Sequence, residues 1–242
     1  MQEAKKQLEL LQINYLRSCY PGFPKGKTVP GESPDFIVRS KHGKRIGIEL
    51  VRLCPDLPFG QLSEKQIQQE LIHEAWELFE RSSDLKLFVK VCFADNKTIG
   101  EERVLSVSAI LANRIRSVVN NKNQRSFFFH LLTENELPVG IEQLLVVHHP
   151  ELTEPIWEEA NNLGISENII TDLKRVIARK EEKLLLYRKK QLDAYWLVVL
   201  TDRLRNIKNS NVNNRILSES FPSSFNQILL FDLVKGKVLE LV

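Results

Sequence analysis

What this chain of 242 residues lacks narrows its nature first. Cysteine is scarce: Cys19, Cys54 and Cys92 make an odd three, with no Cys-x-x-Cys pair and no metal-ligand spacing. That pattern excludes a disulfide-stapled scaffold and a zinc-finger site, and reads as free thiols in a reducing compartment. No apolar run reaches the 18 residues that a membrane-spanning helix needs. The first 20 residues alternate charged and polar side chains and hold no signal-peptide core, so a cytoplasmic protein with no membrane partner is expected. Charge of one sign is scarce as well. Against 31 acidic residues stand 34 basic ones, and a net +3 does not argue for nucleic acid by itself, because basic patches act locally. Internal repeats, a clear linker, a helix-turn-helix and a zinc finger are all missing. What is present is ordinary globular composition, 43% hydrophobic and 27% charged, long enough for a sizeable core.

Periodicity sets out the elements. Ala4, Leu8, Leu11 and Tyr15 recur at helical spacing over residues 2–17. The next 14 residues, "PGFPKGKTVPGESP", hold four of the ten prolines and three of the ten glycines and read as a loop. Strands are expected at Phe36–Arg39 and Arg45–Leu53, joined by the polar turn "SKHGK" as a β-hairpin. "PDLPFGQ" breaks the chain, and Ser63 with Gln66 then opens a helix with a capping-box pattern. Further strands are expected at 85–93, 126–132, 141–149 and 195–202, with helices at 101–120 and 167–190. The apolar runs of several strands suit a sheet covered on both faces. "RLRNIKNSNVNNR" reads as a polar loop, and "QILLFDL" with "KVLELV" as a closing hairpin. The fold class expected is α/β, a mixed central sheet flanked by helices, in one domain over residues 1–242.

The chemistry lies in "ESPDFIVRSKHGKRIGIELVRL". Asp35 opens one strand of the hairpin and Glu49 sits inside the other, so the two carboxylates can be brought side by side. A converging carboxylate pair suits Mg²⁺ or Mn²⁺, hard cations that take oxygen ligands and keep several waters. Such a metal lowers the pKa of a bound water and stabilises charge on a phosphoryl oxygen.

The pattern Pro34-Asp35, followed by Glu49 within Gly47-Ile48-Glu49, resembles the PD-(D/E)XK phosphodiesterase superfamily. The phrase "PDFIV…GKRIGIELV" is especially similar to its uncharacterised bacterial members. The resemblance covers residues 1–93 as a motif core and extends loosely over 94–242. It implies a restriction-endonuclease-like fold, a Mg²⁺- or Mn²⁺-dependent nuclease with DNA as the expected substrate, and Asp35 and Glu49 as metal ligands. It places a glutamate on the first helix, at Glu9 or else Glu3, and it allows a homodimer that cuts both strands. One feature departs from the pattern: Val51 stands where the superfamily carries its lysine, on the same strand face as Glu49.

Helical spacing offers a replacement. In "DLKRVIARKEEKLLLY", Leu173, Ile177, Leu184 and Tyr187 form one stripe, Lys180 falls inside it, and Lys183 lies at its edge. An ammonium on a buried face needs an anionic partner, which Asp35 and Glu49 would supply. Lys65 competes from the second helix. Plainer readings stand beside these. Asp35 suits a turn, Glu49 an edge strand facing water, and Lys180 can snorkel to solvent. The eight Lys and Arg of residues 174–190 suit either a solvated helix face or a phosphate backbone. His148-His149 lacks a third ligand, and Tyr195 and Trp196 read as core anchors. Nuclease is therefore the favoured function. The alternative is a catalytically silent module of the same fold that binds nucleic acid or protein. A lysine ammonium within reach of the carboxylate pair is what separates the two.

Overall fold

A computed structural model describes residues 2–53, 62–94, 97–160, 162–163, 169–204 and 212–242. The break "PDLPFGQ", Cys54 and the capping side chain of Ser63 lie outside the described residues.

The chain opens with α1 (Gln2–Cys19), followed by β1 (Gly26–Pro30), β2 (Phe36–Ser40) and β3 (Arg45–Arg52). Next come α2 (Leu62–Glu80), β4 (Phe88–Phe93), α3 (Val104–Asn120), β5 (Phe128–Thr133) and β6 (Ile141–His148). Then β7 (Ile156–Glu159) and β8 (Asn162–Leu163) lead into α4 (Ile169–Tyr187), which ends in a 3-10 turn, Arg188–Lys190. The chain closes with β9 (Ala194–Thr201), β10 (Arg203–Leu204), α5 (Val212–Leu217), β11 (Gln227–Asp232) and β12 (Lys237–Glu240). The class is α/β, with mixed sheets flanked by helices. No helix among the described residues is long and apolar enough to cross a membrane.

By contacts the chain divides into two compact units, residues 1–11 with 57–161, and residues 12–56 with 162–242. The motif core read at residues 1–93 draws on both. In the first unit a four-stranded sheet runs β5-β6-β4-β7. Strict alternation sends Val89, Val91 and Phe93 of β4 to the face that packs on Leu71, Ala75 and Phe79 of α2 and on Val107, Leu111 and Ile115 of α3.

In the second unit a six-stranded sheet runs β1-β2-β3-β9-β11-β12. Its centre is parallel, β3 beside β9 and β9 beside β11, and antiparallel strands close both ends. Val51, Tyr195, Leu197, Val199, Ile228 and Leu230 face α4 and α5, where Leu173, Ile177, Leu184, Tyr187 and Ile216 cover them. On the opposite face the Tyr15 ring meets Phe231 edge-on at 5.2 Å.

Two differences from the expected elements have physical causes. Residues 26–30, read as loop, form β1, an edge strand in which a proline costs no ladder bond on its open side. The end of the polar stretch 203–215 forms α5, whose Val212 and Ile216 are buried, although Asn and Arg dominate its letters.

Candidate active site

The hairpin β2–β3 builds the site. Phe36 stands opposite Ile48, and that register continued by one residue sets Asp35 opposite Glu49. Directly opposed positions hold their Cβ atoms about 5 Å apart. The backbone N–H of Leu50 donates to Asp35 Oδ2 at 2.8 Å, which fixes that carboxylate against β3. Gly47 is required beside it: a Cβ there would lie 2.7 Å from Pro34 Cγ and 2.8 Å from Leu192 Cδ1. A larger residue would push Pro34, and with it Asp35, off the strand.

Glu49 is 5% exposed, too buried for an edge position in water. Its partner comes from α4, 131 residues along the chain: Lys180 Nζ donates to Glu49 Oε1 at 2.6 Å. The same ammonium lies 3.5 Å from the Leu50 carbonyl. Lys180 therefore does not snorkel outward, and its side chain is 12% exposed. Val51, where the resemblance would put a lysine, points to the same face and packs against α4 instead. The helix supplies the cation that the strand does not.

Tyr187 completes the cluster. Burial raises its pKa, and so do the neighbouring Glu49 carboxylate and the more distant Asp35, so the hydroxyl stays protonated. By its place on the apolar stripe alone, Tyr187 is a packing residue. The signal was there in its spacing, since it lies seven residues, two turns, beyond Lys180 on one helix face. Tyr195 fixes that end of α4, its hydroxyl donating to the Tyr187 carbonyl at 2.9 Å.

Other candidates fall elsewhere. Lys183 is exposed, with no ion pair or hydrogen bond among the described residues. Glu9 belongs to the first unit, where it pairs with Lys5 at 3.3 Å. Lys65 is exposed in the same unit, and the Glu3 side chain lies outside the described ones. His148 is a buried strand residue whose ring nitrogens face the carbonyls of Lys86 and Gln124 at 3.2 and 2.9 Å.

The fit to a divalent cation rests on one atom. Glu49 Oε2 is buried and has no hydrogen-bond partner among the described residues, an arrangement that is costly unless something occupies its lone pairs. With Asp35 alongside, it gives the two-carboxylate set that Mg²⁺ accepts with its waters. Among the described residues no group of three or more His, Cys, Asp and Glu converges on one point. The pair would be the whole of the acidic ligand set.

Comparison of the chain with protein-family models, with curated proteins and with solved structures finds no significant match.

Proposed function

We propose that the second unit is a restriction-endonuclease-like phosphodiesterase that hydrolyses nucleic acid, with DNA as the substrate, and depends on Mg²⁺ or Mn²⁺. The observation that carries this reading is the Lys180 ammonium, 2.6 Å from a buried glutamate on a helix that could have placed any apolar residue there. Asp35 and Glu49 would hold the metal, which supplies an activated water and charge neutralisation at the phosphoryl group. The residues of the chain do the rest. Lys180, held by Glu49 and facing the Leu50 carbonyl, presents a fixed positive charge where negative charge develops on the phosphate. The protonated Tyr187 hydroxyl steadies the Glu49 carboxylate. Val51 and the apolar stripe of α4 exclude bulk water from behind the cluster, which strengthens each of these interactions.

A silent module of the same fold is the second reading. It is favoured by one fact: Lys180 already has a partner, and an ion pair of this kind is enough by itself to dock α4 on the sheet.

Calorimetry with Mn²⁺ and cleavage of plasmid and oligonucleotide DNA, on wild type, Glu49→Gln and Lys180→Gln, separates the two. The phosphodiesterase reading expects metal binding that Glu49→Gln abolishes. It expects Lys180→Gln to keep binding while turnover falls on the order of 10²-fold or more. Wild-type protein that binds no metal and cuts neither substrate would leave the silent module.

A further inference from the structure

The ribbon β1–β2–β3 carries a second charged feature that the carboxylate site does not use. Residues 25–45 hold six cations, Lys25, Lys27, Arg39, Lys41, Lys44 and Arg45, against Glu32 and Asp35. That local excess is larger than the net charge of the whole chain, +3. Pairing sets three of the six in one row, with Lys27 opposite Arg39 and Arg39 opposite Arg45. Directly opposed residues share a face of the sheet. Counting by twos from Glu49 through Gly47 reaches Arg45, and from Asp35 through Ile37 reaches Arg39. The row therefore lies on the carboxylate face, four strand residues away, about 13 Å at about 3.3 Å per residue.

All three side chains are exposed, and no carboxylate pairs with Lys27 or Arg39 among the described residues. Like charges directly opposed on a sheet cost stability. Asp193 stands at the β9 end of the row, where its Oδ2 accepts from the Arg45 backbone N–H at 2.7 Å. Arg45 alone is tethered, its Nη2 donating to the Gln191 carbonyl at 2.9 Å, which leaves most of its fork of donors free. That bond brings the β3 end of the row to the turn after α4, beside the exposed Arg188 and Lys190. Pro34 and Leu192 close over Gly47 between row and carboxylates, so the row is a separate place.

We propose that the Lys27–Arg39–Arg45 row docks the phosphodiester backbone of a nucleic-acid strand. The choice of nucleic acid among polyanions rests on the phosphodiesterase reading, and the choice of residues does not. A row of cations across neighbouring strands meets the repeated negative charge of the phosphates, and contacts to phosphate carry no sequence information, so binding through the backbone is indifferent to sequence.

The test is fluorescence anisotropy of labelled duplex DNA in EDTA, where nothing is cut, over a salt series. Wild type, the double variant Lys27→Gln/Arg39→Gln and Lys122→Gln, an exposed cation of the first unit, are compared. Arg45 is spared because its guanidinium holds Gln191. Wild-type affinity should fall steeply with salt. The double variant should bind at least tenfold more weakly at low salt, with a log–log salt slope shallower by about two, equally for unrelated sequences. Lys122→Gln should match wild type. A double variant with wild-type affinity and slope overturns the proposal, as does wild type that fails to bind DNA even at low salt. Cleavage with Mg²⁺, measured separately, keeps the two readings apart. Protein that binds through the row but cuts nothing loses the phosphodiesterase and keeps the row. Protein that cuts with a slope unchanged in the double variant does the reverse.

Discussion

Glu49 and Lys180 show how differently an ion pair weighs when intact and when broken. Made, it gains little, because desolvation of two charges offsets most of their attraction. Broken, it leaves a charge in a place where the side chains are only 7% and 12% exposed. Lys180→Met should therefore lower the free energy of unfolding in urea by about 3 kcal/mol. Adding Glu49→Leu should recover most of that loss, since the double variant has no orphaned charge. A single variant as stable as wild type would mean that water reaches Glu49 freely. The same pair of measurements bears on function. Evolution towards stability alone would favour the apolar pair, so a recovered double variant indicates that the ions are there for another reason.

Among elements, the edge strand β7 repeats this logic in the first unit. Lys90 of β4 has no exposed side-chain surface, and its ammonium lies 2.9 Å from Glu158 of β7. It also lies 5.8 Å from the centre of the Phe88 ring. Glu158→Gln should cost about 2 kcal/mol or more, because a fully buried ammonium loses a counter-charge 2.9 Å away. Glu80→Gln removes the partner of Lys86 at 2.7 Å, where both side chains stay about a third exposed, and should cost less than about 1 kcal/mol. Chemical denaturation of the two variants makes the comparison, and equal losses would refute the burial argument. The elements were legible where periodicity was strong: the hairpin, α3, α4 and β9 lie within a few residues of expectation. β1 was not, because Gly26 and Pro30 mark turns in sequence and become tolerable only at an open sheet edge. The site was half legible. Asp35 and Glu49 stand out as letters, and the helical stripe pointed to Lys180. Tyr187 did not stand out, because a tyrosine on an apolar stripe looks the same whether its hydroxyl meets water or a carboxylate.

For the whole molecule, falling pH should reach the two units through different groups. His149, in the first unit, has its pKa lowered from 6.5, chiefly by burial and also by His148, against the opposing pull of Glu151. The neutral ring is favoured on folding, so its contribution is present above pH 6.5 and is lost as pH falls through the lower folded value. Glu181, in the second unit, would be raised by burial, but bonds from Ser223 and Ser224 and the charge of Arg188 outweigh that and lower it from 4.5. Its contribution is present above pH 4.5 and is lost further into acid. His149→Gln should flatten the first loss and Glu181→Gln the second, followed by fluorescence of Trp76 and Trp157 for one unit and Trp196 for the other. Order on the chain has a consequence of its own. A ribosome extends the polypeptide from its N-terminal end, so Glu49 emerges 131 residues before Lys180 does, and Asp35 earlier still. Over those 131 residues the nascent chain holds acids without their ammonium, and the helix that carries it must then fold back onto a strand made long before. Whatever chemistry needs all three groups is withheld from a chain that stops short of Lys180, and begins only when α4 has been made and packed.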